Sequence, residues 1–493
     1  MRWLIAGLLA AGSPYVHAVD PVLHGDAWFR VPITGRLPPA ITPDEAAVGV
    51  TVQDVQDVAP GAAAQGDLWE RIRKGFAVPD LQGKLVTERE KWYAQRPDQI
   101  GRFVERSRRY LFHIVEEIER RGMPTELALL PMVESAYNPM AYSRAHASGL
   151  WQFIPSTGRN YNLGQNWWYD ARRDPLASTG AALDYLQQLR EMFGDWHLAL
   201  AAYNMGENGL QRAIDRNRAK GLATNYQALT MPKETQRYVP TLQALKNIIA
   251  DPGAFNVQLD PIPNAPVFVT VTLTRDIDLS VAAKLAEMPV EELVALNPGH
   301  NRPVVAAAHA PQLVLPTDRA EVFIRNLESH ELPLSSWQTY TVKAGDKLEK
   351  LAAEHKVSVE RLRAINGLGP KGTVVAGQQI LLPEKGTGAA SDPLPPVFTS
   401  PARSAAYIVK KGDTWASIAQ TFGVRIEDLK RWNEGAQLEP GDSLVIQFTP
   451  KRVAGKRPTQ AAKKPSQPAR PAAQSAPARP SASAQAGRSA PAF

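Results

Sequence analysis

The sequence contains no cysteine among its 493 residues. This absence excludes disulfide bonds, thiol nucleophiles, zinc sites built from thiolates and lipid attachment through a cysteine. It does not exclude export, because a chain of this length can bury a core that is stable without disulfides. The length itself predicts about two to four domains.

Long apolar runs are missing as well. A transmembrane helix needs roughly 20 consecutive apolar residues, and the apolar run Trp3–Ala11 is shorter. Arg2 precedes this run, and Val16-His17-Ala18 has the small-residue pattern that a signal peptidase recognises. We predict that residues 1–18 are a signal peptide and that the protein is exported. A short anchor that stays attached is the alternative.

Acidic residues are absent from the last segment of the chain. Residues 451–493 contain nine Lys or Arg and no Asp or Glu, whereas the whole chain has a net charge of +7. The excess positive charge therefore belongs to this segment, and the rest of the chain is slightly acidic. The Ala/Pro/Ser-rich composition of this last segment predicts a disordered basic tail over 450–493. The charge thus gives no reason to predict a nucleic-acid partner.

Hydrophobic periodicity divides the first half of the chain. Residues 19–66 show little periodicity and are predicted to form an extended lead-in. Over 67–250, apolar residues recur at helical spacing, which predicts one mostly α domain. Within it, Gln99–Arg121 is predicted to be one long amphipathic stretch of helix.

A repeat follows the helical region. Its two clear copies span 339–384 and 406–449, and each pattern predicts a β-α-α-β unit. A degenerate third copy over 265–317 lacks the Gly-Asp turn of the others, so its binding role is open. Residues 385–405 are rich in Pro, Ser and Gly and are predicted to be a linker.

Glu134 is the strongest candidate for a catalytic acid. It follows the apolar stretch Leu127–Val133, so partial desolvation should raise its pKa and keep it protonated. No Asp or Glu occurs from Ser135 to Tyr169, whereas ordinary glycosidases use two carboxylates. A lone acid fits a reaction in which it protonates the glycosidic oxygen while a hydroxyl of the same sugar attacks. The alternative is a helix-end carboxylate in a surface ion pair.

The segments around this acid carry residue types suited to amino sugars. Gly149 permits close approach of backbone to a bulky ligand. The amides of Gln152 and Asn204 suit acetamido groups and hydroxyls, and Tyr203 and Tyr238 offer rings with polar tips. The segments are Glu134–Pro139, Ala147–Pro155, Ala201–Glu207 and Gln236–Pro240.

In these segments, and in Arg121–Pro131 and Trp168–Asp174, the sequence resembles the goose-lysozyme-like lytic transglycosylases. It is most similar to the membrane-bound type D group, which joins this domain to LysM repeats. The resemblance covers about Asp67 to Pro450. It implies a multidomain fold, with a mostly α, lysozyme-like catalytic domain over 67–250 followed by small α+β (β-α-α-β) LysM modules. It also implies cleavage of peptidoglycan glycan strands to 1,6-anhydro-N-acetylmuramic acid ends, with no metal or cofactor.

The resemblance further assigns roles to single residues. Glu134 is the expected general acid/base. The residues expected to bind substrate are Ser135, Ser148, Gln152, Tyr203, Asn204 and Tyr238, with Ser135 also orienting the acid. The residues expected to form N-acetylglucosamine grooves are Gly345, Asp346, Lys347, Leu348 and Asn366 in the first LysM module, and Gly412, Asp413, Thr414, Trp415 and Asn433 in the second. Gly-Asp turns that only cap the following helices are the alternative.

Several residues permit a second interpretation. Glu207 is a second candidate acid, although a capping or orienting role fits it better. Trp167 and Trp168 either stack on sugars or belong to the core, and Asp170–Arg173 is expected to be a salt-bridge staple. The whole chain could instead be a hydrolytic muramidase or a non-catalytic wall-binding scaffold. Without cysteine, membrane attachment by lipidation is not expected, so the resemblance implies a periplasmic protein that is associated with the cell wall. The sequence does not indicate the oligomeric state.

Overall fold

The protein is described by a computed structural model over residues 50–51, 66–143, 145–369, 372–384, 394–395, 403–433 and 438–448. The predicted signal peptide, the basic tail, and most of the lead-in and linker lie outside these residues. No helix within the described ranges is long and apolar enough to cross a bilayer.

The first domain is helical, as predicted. Asp67, Asp174 and Asp195 each begin a helix by accepting hydrogen bonds from backbone N–H groups of its first turn. The helices are α1 (Leu68–Lys74), α2 (Lys84–Ala94), α3 (Pro97–Ser107), α4 (Leu111–Arg120), α5 (Leu130–Glu134), α6 (Pro155–Asn160), α7 (Pro175–Phe193), α8 (Trp196–Met205), α9 (Glu207–Arg218) and α10 (Lys233–Ala250).

The prediction of one helix over Gln99–Arg121 is wrong. Helix α3 ends at Ser107 and α4 begins at Leu111. Tyr110 lies at the break, where it is buried, and its hydroxyl donates to the carbonyl of Ala295 over 2.6 Å. A buried hydroxyl needs such a partner, and the partner is distant in sequence, so helical periodicity does not reveal the break.

The core of this domain is built around α8. Residues Leu198–Ala202 are all buried, which is typical of a helix surrounded by others, and α7 and α10 pack against it. The core continues past residue 250 to Val257 and Ile262. The backbone N–H of Leu68 donates to Ile262 O over 2.8 Å, so the two ends of the domain meet.

The degenerate repeat forms a small α+β module. Strand β2 (Phe268–Leu273) lies between β1 (Val50–Thr51) and β5 (Gln312–Pro316), antiparallel to both. A second pair joins β3 (Ile277–Asp278) to β4 (Val304–Val305). The helices are α11 (Leu279–Leu285), α12 (Val290–Leu296) and α13 (Thr317–Glu328). Because α13 buries Phe323 and Leu327 in this core, the module extends beyond residue 317.

The two clear repeats have the predicted β-α-α-β order. The first contains β6 (Trp337–Thr341), α14 (Leu348–Glu354), α15 (Val359–Ile365) and β7 (Gln378–Pro383). The second contains β8 (Arg403–Ile408), α16 (Trp415–Phe422), α17 (Ile426–Trp432) and β9 (Ser443–Phe448). Strands β7 and β8 pair antiparallel, which gives a four-stranded sheet in the order β6-β7-β8-β9.

An apolar cluster joins three of these domains. Trp167 and Trp168 of the helical domain are 1% and 6% exposed. They pack with residues of the degenerate module and the first LysM module: Val304, Ala306, Ile365 and Leu381. In this structure the two indoles belong to the core between domains, so neither offers a face to a sugar.

Candidate functional site

Glu134 ends α5, a short helix that follows a 3-10 turn over Thr125–Leu129. The preceding residues of α5, Leu130 to Met132, are buried, and Glu134 itself is half-buried. Burial raises the pKa of the Glu134 carboxyl to about 7. A hydrogen bond from Tyr238 acts in the opposite direction, and the negative charge of Glu234 raises the pKa further. At neutral pH the carboxyl can therefore both donate and accept a proton.

Tyr238 holds one oxygen of this carboxyl. It lies on α10 with 5% of its surface exposed, and its hydroxyl donates to Glu134 Oε1. Burial, followed by the charge of Glu134, raises the pKa of Tyr238 well above its ordinary value, so the hydroxyl stays a donor. Within the described part of the chain, Glu134 Oε2 has no hydrogen-bond partner. Tyr238 therefore orients the acid while leaving its second oxygen available.

Tyr203 and Asn204 lie at the end of α8. The Tyr203 hydroxyl donates to the carbonyl of Trp151 over 2.9 Å. Burial, followed by the negative charge of Glu134, raises the pKa of the Tyr203 hydroxyl well above its ordinary value. Asn204 Oδ1 accepts a 2.7 Å hydrogen bond from the Thr235 hydroxyl at the start of α10. These contacts join α8, α10 and the loop that contains Trp151.

That loop, residues 146–153, is here called the glycine loop. Gly149 has φ +89°, and a Cβ there would overlap the carbonyl oxygen of Arg172, so the close approach requires glycine. Gln152 has φ +51°, and its Nε2 donates to Gly149 O over 2.7 Å. Gln152 thus follows Trp151, whose carbonyl accepts from Tyr203, and the Gln152 amide N–H holds the loop.

Two predicted substrate-binding serines lie in other environments. Ser148 is fully buried, and its hydroxyl has no partner among the described residues. It cannot touch a glycan in this geometry. Ser135 is 7% exposed, and its hydroxyl donates to Pro131 O over 3.1 Å. It therefore closes the end of α5 and makes no hydrogen bond to Glu134.

Glu207 is linked to the region of the acid through two tyrosines, Tyr185 and Tyr203. As the first residue of α9, it accepts a 2.8 Å hydrogen bond from the Tyr185 hydroxyl. The Tyr185 ring stands 5.4 Å from that of Tyr203 and 5.0 Å from that of Tyr161. Tyr185 and Thr235 are supporting residues that sequence reasoning missed. The signal for Tyr185 was its position on the apolar face of α7, which also contains the buried Ala182 and Leu189.

The Asp170–Arg173 cluster is a buried ion network, in agreement with the expected staple. Arg172 Nη2 lies 2.8 Å and Arg173 Nη1 lies 3.1 Å from Asp170 Oδ2. Burial alone would raise the pKa of Asp170, but the guanidinium groups of Arg172 and Arg173 hold this pKa below its ordinary value. The cluster stays ionised and structural.

In the LysM modules the Gly-Asp turns are fixed from the preceding strand. Asp346 Oδ2 accepts from the Tyr340 hydroxyl (2.7 Å) and the Lys343 N–H (2.8 Å). The second module repeats this arrangement, with Tyr407 donating to Asp413 over 2.6 Å. Neither aspartate is a helix cap, since the N-cap positions are the next residues, Lys347 and Thr414.

The predicted asparagines tie helix to strand. Asn366 is 1% exposed and bonds Leu362 O (2.9 Å) and both backbone groups of Leu381 (2.6 and 3.0 Å). In the degenerate module, Asn297 makes the same contacts with Leu293 and Val314, and Asn433 bonds Leu429 O (2.8 Å). The Asn366 amide is buried and hydrogen-bonded to backbone groups, so a glycan cannot contact it.

The remaining groove candidates divide by exposure. Leu348 is 2% exposed and belongs to the core of its module. Trp415 is half-buried, and Thr414 caps α16 in a reciprocal pair with Ser417. The residues that face solvent are Gly345, Lys347, Gly412 and Thr414.

Comparison with known proteins agrees with this order of domains. A model of the transglycosylase SLT domain matches residues 113–225, and a model described as the LysM-like domain of lytic transglycosylase MltD matches 267–332. The LysM domain model matches 340–383 and 407–447.

Three proteins illustrate the similarity. Membrane-bound lytic murein transglycosylase D of Escherichia coli K12 is 36% identical over 399 residues, which are 78% of this chain and 86% of that protein. Membrane-bound lytic murein transglycosylase C of Glaesserella parasuis is 32% identical over 167 residues, 30% of this chain and 46% of that protein. The crystal structure of the Bacillus cereus spore cortex-lytic enzyme SleL has 26% identity over 24% of each chain, with a TM-score of 0.11.

Proposed function

Because the chain belongs to the lytic murein transglycosylase family, whose members remodel peptidoglycan, we propose that Glu134 is its general acid/base and that it acts without a second carboxylate. The observation that carries this proposal is the half-buried Glu134 carboxyl, with a pKa near 7 and one oxygen held by Tyr238. Such a group can serve as acid and base in successive steps at neutral pH.

In the proposed reaction, protonated Glu134 gives its proton to the β-1,4 glycosidic oxygen between N-acetylmuramic acid and N-acetylglucosamine. The C1–O4 bond breaks, and the N-acetylglucosamine leaves with a free 4-hydroxyl. The carboxylate then takes the proton of the 6-hydroxyl of the same N-acetylmuramic acid as that oxygen bonds to C1. The product is a 1,6-anhydro end, and Glu134 is protonated again.

The tethered hydroxyl replaces the second carboxylate of ordinary glycosidases. Tyr238 contributes by donating to Glu134 Oε1 in both charge states, which fixes the direction of Oε2. The alternatives are a hydrolytic muramidase, in which Glu207 or a bound water takes part, and a scaffold without activity.

The test is digestion of purified peptidoglycan followed by mass spectrometry of the muropeptides. Anhydro ends are lighter than reducing ends by one water. Wild-type protein should give anhydro ends, and Glu134→Gln should lose activity by about a thousandfold, since one group supplies both proton transfers. Glu207→Gln and Glu234→Gln are the matched controls, and both should keep the anhydro product. Reducing ends, or normal cutting by Glu134→Gln, would contradict the proposal.

The same proposal extends to the LysM modules and the location. We infer that the solvent-facing turns with Gly345 and Gly412 bind N-acetylglucosamine units of the glycan, and that two modules on one chain raise the local concentration of enzyme at the wall. We also infer that residues 1–18 direct export to the periplasm without lipidation. Binding of chitin oligosaccharides to Lys347→Glu and Thr414→Glu variants tests the first inference. Mass spectrometry of the mature N-terminus tests the second.

A further inference from the structure

The degenerate module, matched over residues 267–332, meets the helical domain along a polar seam. Its loop Pro298–Asn301 lies against residues 166–173. Asn301 N donates to Trp168 O over 2.7 Å, and Asn301 Nδ2 donates to Asn166 O over 3.0 Å. The side chain and the backbone of one residue therefore hold the helical domain at two points.

Arg173 crosses this seam. Its guanidinium donates to Pro298 O over 2.9 Å, to Gly299 O over 3.2 Å and to Asn301 Oδ1. On the other side it reaches Asp170 Oδ2 at 3.1 Å. The Arg173 side chain is 1% exposed, so these partners compensate a charge that water cannot reach.

Arg172 continues the network to the glycine loop. It pairs with Asp170 through Nε at 3.0 Å and Nη2 at 2.8 Å. Its Nη1 donates to His146 O over 2.7 Å and to Phe153 O over 3.1 Å. These two carbonyls are the first and the last of the glycine loop, so one guanidinium fixes both ends of the loop.

The glycine loop in turn is tied to Tyr203, whose hydroxyl donates to Trp151 O over 2.9 Å. Burial, followed by the negative charge of Glu134, raises the pKa of this tyrosine. Hydrogen bonds thus run from the loop of the degenerate module to both ends of the glycine loop, and the loop backbone leads from there to the contact with Tyr203. Buried ion networks are costly when one member loses its partner, so a change at the seam is expected to displace the groups that follow.

We propose that the degenerate module is a positioning element of the transglycosylase site, acting through Asn301, Arg173, Asp170 and Arg172 on the glycine loop. This rests on the proposed function of Glu134. The module shares the helix pair of its two neighbours but lacks their Gly-Asp turn. Its contacts with the helical domain give it a role that does not require glycan binding.

The test uses the full-length chain with Asn301→Ala, which removes the Arg173 and Asn166 contacts at a half-buried position. The matched control is Asn326→Ala in the same module, where the amide bonds Leu285 O over 2.8 Å and Glu287 Oε1 over 3.4 Å, both within the module. Hydrogen–deuterium exchange of residues 145–153 and steady-state kinetics on soluble, uncrosslinked glycan strands are measured for both.

For Asn301→Ala we expect faster exchange in the glycine loop and a kcat about tenfold lower, with KM changed less, because misplaced groups act mainly on the transition state. Asn326→Ala should match the wild type in both. Gly299→Ala, whose Cβ would overlap the Tyr169 ring, should act like Asn301→Ala. Wild-type exchange and kcat in both seam variants would overturn the inference while leaving Glu134 as the acid. Normal cutting by Glu134→Gln would instead overturn the proposed function.

Discussion

At the scale of single residues, two tyrosine hydroxyls near one acid have different partners. Tyr238 donates to the carboxyl of Glu134, whereas Tyr203 donates to the backbone of the glycine loop. Both rings are nearly enclosed, and the pKa of each hydroxyl is raised well above its ordinary value, mainly by burial. Removing either hydroxyl should therefore perturb the site in a different and measurable way.

Tyr238→Phe should shift the pH dependence of activity. The Tyr238 hydrogen bond lowers the pKa of Glu134, which burial raises to about 7. Without the bond the pKa rises, so the acid stays protonated to higher pH and the alkaline limb of kcat/KM moves to higher pH. The maximal rate should fall about tenfold because the carboxyl loses its orienting donor. Tyr203→Phe is the control, and its alkaline limb should stay at the wild-type position.

Glu134→Gln should stabilise the fold in a pH-dependent way. The pKa of about 7 lies above the ordinary 4.5, so the folded state binds this proton more tightly than the unfolded state does. Stability from this group is present at low pH and is lost as pH rises through about 7. The gain on substitution should be near zero at about pH 4 and about 2 kcal/mol at about pH 8.

Urea denaturation at the two pH values measures this gain. Glu88→Gln, on an exposed position of α2, controls for the loss of one carboxylate. An equal gain at both pH values would mean that the Glu134 carboxyl is not desolvated.

At the scale of elements, the glycine loop depends on one close approach. Gly149→Ala places a methyl group against Arg172 O and also requires φ +89° of a non-glycine residue. We expect a loss of about 3 kcal/mol or more in the free energy of unfolding, with loss of activity. Gly194→Ala is the control: it also has positive φ, but nothing lies within 4 Å of the added carbon. It should cost about 1 kcal/mol in chemical denaturation.

Sequence patterns predicted the helices and strands well where these depend on residues close together in the chain. Helix α7 and the β-α-α-β repeats follow from periodicity and from capping or turn residues such as Asp174 and Gly345. The hydrogen bond that holds each Gly-Asp turn could also have been predicted. Tyr340 and Asp346 recur in the second module as Tyr407 and Asp413 at the same spacing.

Other features of the fold and site depend on partners far along the chain. The predicted helix is broken at Tyr110, whose hydroxyl bonds Ala295 O, and Arg173 crosses to Pro298. Asn366 was predicted to bind sugar, yet it holds the backbone of Leu381. The sequence shows that such side chains can form hydrogen bonds. Only the contacts in the folded protein show whether the partner is a ligand or the backbone.

At the scale of the whole molecule, the helical domain, the degenerate module and the first LysM module share the cluster around Trp167. The Arg302 guanidinium lies 4.4 Å from the Trp167 ring and is buried. Burial lowers the pKa of Arg302 to about 9. This cation therefore depends on the indole face for part of its stabilisation.

Trp167→Ala should uncouple the first LysM module from the rest. The loss of a buried indole typically costs about 3–5 kcal/mol, and here it falls on contacts between domains. Calorimetry of the variant should show a separate, lower unfolding transition for the module. Trp92→Ala, which packs within the helical domain, is the control and should lower the main transition without splitting it. A single transition in Trp167→Ala would show that the cluster does not couple the domains.

Backbone pairing also joins the segments that precede and follow the helical domain. Asp67 bridges Pro263, and beyond this bridge Val50 and Thr51 pair with Leu273 and Thr272. Both pairings are antiparallel. A pull applied at residues 50 and 273 would therefore load these few backbone pairings before it reached the helices that lie between them.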